Sequence, residues 1–168
     1  MIGVVRIRTK SKNKKIAFYP WAAASLVCIV LIFLASSQTA AESSEVSGSL
    51  TRTIVVTVWN WFAKTRQEIP ESLLDICETI LRKAAHLFVF FVLGICTVNC
   101  IRQLTVKKLR AFWISLCWCS VYAVTDELHQ LFVPGRAGMW QDWLIDTAGA
   151  LLGIGVVFWF AARRKKAV

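Results

Sequence analysis

Little in this chain would stop a helix: three prolines and eight glycines are spread over 168 residues, and long stretches contain neither. Acidic residues are scarce, ten against twenty basic ones, and none falls in residues 1–16, 102–110 or 163–168. The six cysteines give neither a disulfide framework nor a zinc ribbon. Cys28, Cys96, Cys100, Cys117 and Cys119 lie inside apolar runs, where cysteine acts as a small apolar residue, and only Cys77 lies outside them. The spaced Lys, Arg and His of lipid phosphatases are missing, and neither histidine has the spacing of established zinc motifs, so no cofactor and no metal are expected. The net charge of +10 comes with no soluble basic module, which excludes nucleic acid as an expected partner.

What the chain has is apolar length. Hydrophobic residues make up 57% of it and mean hydropathy is +0.56, beyond the range of a soluble domain. Four runs approach the roughly 17–25 residues of a bilayer crossing: 17–35, 84–101, 111–133 and 143–162, the third only by including its polar end. The expected fold is all-α, a polytopic bundle of four transmembrane helices over 17–162 between basic tails at 1–16 and 163–168.

Charge sets the expected orientation. Fourteen of the twenty basic residues lie in the two tails and the 102–110 loop, while all ten acidic residues lie in the alternate segments. By the positive-inside rule both termini are cytoplasmic. Met1–Lys15 also has the form of a signal-peptide head, with a cleavage point near Ala40-Ala41. Nineteen apolar residues from Ala17 to Ala35 exceed the usual signal core of about 7–15, so a retained span is the expectation.

Between the first two spans, Glu42–Gly48 reads as a small polar loop. Leu50–Ile69 reads as an amphipathic helix on the outer leaflet, or a lid over the helix ends, broken at Pro70. Glu71–Lys83 is helical and runs on into the second span, so amphipathic helices fill the extracytoplasmic 50–82 segment. In that span Lys83, His86, Phe90, Gly94 and Thr97 share a face. The third carries Ser115, Cys119, Tyr122, Asp126 and His129 on one face and Ser120, Ala123, Glu127 and Gln130 on the next, until Pro134 ends it. On the fourth, Asp142, Asp146, Gly149 and Gly153 form one stripe, acidic and then small. Its Gly149–Gly153 pair matches GxxxG, which lets a neighbouring backbone come close.

With four spans, the polar chemistry collects at their outer ends: Ser36, Ser37 and Gln38; Arg82, Lys83 and His86; Asp126, Glu127, His129 and Gln130; Arg136, Asp142 and Asp146. Ionisable groups cost about 2.5–3.5 kcal/mol each at mid-membrane, so they face the bundle or a wet cavity. Two readings stand side by side. In one the cluster is structural, with Arg136 bridging Asp142 or Glu127, and Lys83 bridging Asp146. In the other it is an outward-facing pocket, with Arg82, Lys83, His86 and Arg136 for an anion such as phosphate and carboxylates for hydroxyl, amide or amine groups.

The run DELHQLFVPGRAGMWQDWLIDTAGALLG closely resembles the signature of the VanZ-like family of bacterial membrane proteins, and LRKAAHLFVFFVLG and FLASSQ resemble two further segments of it. The likeness covers Phe33–Gly155 and carries over Ser36, Ser37, Gln38, Lys83, His86, Asp126, Glu127, His129, Gln130, Arg136, Asp142, Asp146 and Gly149. The family is named for a protein of glycopeptide resistance clusters associated with low-level teicoplanin resistance. The resemblance implies a multi-pass protein of the bacterial cell membrane with a pocket of Ser37, Gln38, Lys83, His86, Asp126, Glu127, Gln130, Arg136, Asp142 and Asp146. Such a pocket would bind a lipid head group, a cell-wall precursor or a lipophilic glycopeptide, and serve teicoplanin-type resistance or envelope homeostasis. The alternative is a membrane-embedded hydrolase or transferase of a lipid-linked substrate, with Glu127 or Asp146 as general base and His86 or His129 as proton carrier. Membrane lipids are partners in both. The oligomeric state stays open, since Gly149–Gly153 packs either within the bundle or against another copy.

Overall fold

The computed structural model describes residues 2–62, 69–104 and 107–166. Its helices are α1 (Ile2–Ser36), α2 (Ala40–Phe62), α3 (Glu71–Leu104), α4 (Lys108–Gln130) and α5 (Trp140–Lys166), and no strand occurs among the described residues. The all-α expectation holds. Among the described residues, three stretches are long and apolar enough to cross a membrane: Ala17–Ser36, Glu71–Leu104 and Trp140–Arg164. The expected 111–133 span is not among them, because α4 carries Lys108 and Arg110 at one end and Asp126 and Glu127 at the other.

Residues 42–48 are helical, which corrects the loop expected there. Thr39-Ala-Ala-Glu42 forms a capping box: Glu42 Oε2 accepts the Thr39 amide and hydroxyl, both at 2.9 Å, and the Thr39 hydroxyl accepts the Glu42 amide at 3.3 Å. These bonds, the Thr39 amide foremost, hold the Glu42 carboxyl below its ordinary pKa. With its first turn capped, α2 starts at Ala40, and the part of the expected 50–69 helix at 63–68 lies outside the described residues. α2 runs back along the start of α3. Ser47 donates to Glu78 at 2.8 Å, Arg82 reaches Ser44 at 3.0 Å, and Arg52 pairs with Glu71 at 3.1 Å. Its other face exposes Leu50, Ile54, Val58 and Trp61, apolar positions of the expected amphipathic helix, and extends them back to Val46 in the segment expected as a loop.

α3 is the central helix. Its Phe90, Leu93 and Cys96 form a core with Cys28 and Ile32 of α1, Cys119 and Ala123 of α4, and Ala150 of α5. α3 and α5 run in the same direction, matched at Lys83 with Asp142, Leu87 with Gly149, Phe91 with Gly153, and Arg102 with Phe158. Glycine makes that approach possible. A Cβ on Gly149 would overlap the Leu87 carbonyl oxygen, one on Gly153 the Phe91 carbonyl oxygen, and one on Gly94 the Ala150 carbonyl oxygen. The GxxxG pair therefore packs inside the bundle.

α1 and α4 also run in the same direction. The Tyr122 hydroxyl donates to the Ile29 carbonyl at 2.8 Å, and Ser36 meets Asp126 near the helix ends. α4 stops at Gln130, short of Pro134, since a residue before proline is pushed out of the helical region. Gly135 then turns the chain at a φ of 74°, and the Pro134 carbonyl accepts the Ala40 amide at 3.3 Å. The α4–α5 loop is thereby docked on the start of α2.

Candidate functional site

The four polar groups that the sequence only made level are brought together. Ser36 at the end of α1 is buried and donates to Asp126 Oδ2 at 2.9 Å, and Gln130 Nε2 donates to the same oxygen at 3.1 Å. Lys83 on α3 pairs with Asp142 on α5 at 2.6 Å. One turn deeper, His86 Nδ1 stands 3.5 Å from Asp146 Oδ1. Asp146 is 0% exposed, and neither of its carboxylate oxygens has a hydrogen-bond donor. The acidic half of the α5 stripe faces the basic half of the α3 stripe, at the separation its glycines allow.

The expected ion pairs differ from the observed ones. Lys83 takes Asp142 rather than Asp146, because Asp142 lies nearer the polar end of the helix. Arg136 pairs with neither Asp142 nor Glu127: its Nε donates to the Gln38 carbonyl at 3.2 Å and its Nη2 to the Ala35 carbonyl at 3.5 Å. The last turn of a helix leaves carbonyls without intrahelical donors, and a cation there also complements the dipole. Burial, and then the neighbouring Arg82, hold the Arg136 guanidinium below its ordinary pKa.

A cavity of about 300 Å³ opens over this cluster, lined by Arg82, Lys83, His86, Gln130, Arg136 and Asp142 and roofed by Ala40, Gly135 and Ala137. Beneath it, a groove of about 290 Å³ runs between α1 and α3 past Leu31, Ile32, Ala35, Ser36, Ala85, Val89 and Phe90. His86 lines both.

The model of the VanZ/LLP1 family matches residues 21–161, a stretch that holds every residue of this cluster. The chain belongs to the VanZ/LLP1 family. No curated protein and no solved structure matches it significantly. Family and apolar helices together make it a membrane protein.

In this VanZ/LLP1 protein the residues singled out from sequence divide into three groups. Lys83, His86, Gln130, Arg136 and Asp142 line the cavity, and Asp126 and Asp146 are buried beside them. Glu127 is turned away from it: its Oε2 accepts the Met139 amide at 2.7 Å, which ties the start of α5 to the end of α4. His129, Ser37 and Gln38 lie apart. His129 stacks on Phe33 with ring centroids 4.8 Å apart and hydrogen-bonds with the Ser37 hydroxyl at 3.1 Å, and Gln38 contributes only its backbone carbonyl. Two residues gain importance. Ser36 takes the inward place in its tetrad, legible from its four-residue offset from buried Ile32, and Arg82 gains the cavity wall.

Proposed function

We propose that this VanZ/LLP1 protein crosses a bacterial cell membrane four times with both termini in the cytoplasm, and that its cavity faces outward. Two facts support the fourth crossing. α3 and α5 run in the same direction, so the chain has to return between them, and α4 is the helix that joins them. α3 is 34 residues, about 51 Å at 1.5 Å per residue, against a hydrocarbon core of about 30 Å. Its charged start therefore stands outside, with α2 laid against it.

The cavity takes the anionic head group of a membrane amphiphile: a lipid, a lipid-linked cell-wall precursor or a lipophilic glycopeptide. The observation that carries this reading is His86 shared between a chamber with Arg82, Lys83 and Arg136 on its wall and an apolar groove along the membrane face of α1 and α3. Charge on one side and hydrocarbon on the other suit a ligand with both. Expressed in a sensitive Gram-positive host at matched membrane levels, the wild type is expected to raise resistance to teicoplanin more than to vancomycin. Arg136→Ala, on the cavity, and Ala85→Trp, which fills the groove, should each remove most of that protection. Equal protection by both variants would contradict the pocket as its cause.

A hydrolase or transferase acting on the same class of ligand has one observation in its favour. Of Glu127, Asp146, His86 and His129, the two that meet are His86 and Asp146.

A further inference from the structure

Asp126 and Asp146 are not explained by a head-group cavity. Both are buried, and Asp146 lies within the Trp140–Arg164 stretch that is apolar enough to cross the membrane. The cations nearby are otherwise engaged, Lys83 by Asp142, Arg82 by Glu78 and Arg136 by the Ala35 and Gln38 carbonyls at the end of α1 and just after it. Two carboxylates against a single imidazole leave an excess of negative charge in a low-dielectric interior, an arrangement that is strongly unfavourable unless something neutralises it.

We propose that His86, Asp126 and Asp146 bind a divalent transition-metal cation of the zinc or manganese class beside the cavity, where His86 lines its wall. One donor atom from each of the three lies within 4.8 Å of the others. An ion with bonds of about 2.0–2.2 Å holds its donors roughly 3–4 Å apart, so small side-chain rotations close the set. Imidazole and carboxylate are the donors such ions take. A divalent cation, two carboxylates and a neutral imidazole also sum to zero charge, which suits the depth of the site.

The surroundings are built to hold it. Asp126 spends Oδ2 on Ser36 and Gln130, which fixes the carboxylate plane and keeps Oδ1 for the ion. Fully buried Asp146 accepts no hydrogen bond at either oxygen, its nearest donor being His86 Nδ1 at 3.5 Å, so both oxygens are open to an ion. Three protein ligands leave coordination positions open, and His86, which lines the cavity, brings the ion to its edge, where water or an oxygen of the ligand completes the shell. The site depends on His86, Asp126 and Asp146 alone and stands whichever head group enters the cavity.

The test uses the full chain purified in detergent, stripped with a chelator and titrated with zinc and, separately, manganese ions. Wild type and His129→Gln, whose histidine lies outside the set, are expected to take up one ion per chain by elemental analysis. Their unfolding midpoints should rise by roughly 5 °C or more at saturating ion. His86→Gln and Asp146→Asn should retain less than about a tenth of that affinity, since even the groups that support a ligand are worth about 10–100-fold. Stripped Asp146→Asn should melt no lower than stripped wild type, because the change removes an uncompensated charge. A stripped wild type that takes up neither ion, or variants that bind as tightly as wild type, would overturn the proposal.

Discussion

Leucine at Gly153 is expected to abolish the folded protein. The α5 backbone there lies so close to the Phe91 carbonyl of α3 that even a Cβ would overlap the oxygen, and the obstacle is backbone that cannot rotate away. Overpacking in a core usually costs about 1–3 kcal/mol. Here two helices have to separate along their whole contact, so the cost approaches the 5–15 kcal/mol of an ordinary folded state, about enough to unfold it. Gly149→Leu should behave the same way, against Leu87. Gly155→Leu is the control, since nothing lies within 4 Å of a Cβ there. Size-exclusion profiles and melting midpoints in detergent read the difference: Gly155→Leu stays monodisperse, and Gly153→Leu aggregates or fails to accumulate. A Gly153→Leu protein that melts like wild type would mean that α3 and α5 do not pack as described.

The second large effect is at Asp126. Its Oδ2 is the acceptor for both Ser36 on α1 and Gln130 on α4, and all three side chains are buried. Asp126→Ala leaves two buried donors without an acceptor, at about 1–3 kcal/mol each, and removes a polar link between α1 and α4. Asp126→Asn keeps a carbonyl in place and should lose far less, and Ser36→Ala should lose about 1 kcal/mol. Denaturation in the presence of chelator isolates this effect from ion binding. An Asp126→Ala protein as stable as Asp126→Asn would show that the shared acceptor does not join the helices.

Much of this arrangement was written in the spacing of the sequence. Asp142 and Asp146 face Lys83 and His86 because a period of 3.6 residues puts each pair on one side of its helix, while Gly149 and Gly153 of the same α5 stripe meet the neighbouring Leu87 and Phe91. Spacing within a helix does not say which carboxylate a lysine on another helix will meet. That depends on the axial offset between α3 and α5, so Lys83 found Asp142 instead of Asp146. Nor does it distinguish adjacent residues at a helix end, where one step of about 100° decided that Ser36 points inward and Ser37 toward His129. The capping box at Thr39 and Glu42 was legible, but the small polar residues after it suggested a loop, and capping outweighed their weak helix propensity. Arg136 offered no local signal at all: its acceptors are backbone carbonyls about a hundred positions earlier in the chain.

The claim on which the functional account rests is that the cavity opens to the outside of the cell. Ala137 lines it and is exposed, and Cys77 is the native cysteine outside the apolar runs. In a Cys77→Ser background, Ala137→Cys should therefore react with a membrane-impermeant maleimide in intact cells, and more slowly when teicoplanin is present. Labelling that appears only after the membrane is broken would contradict the account.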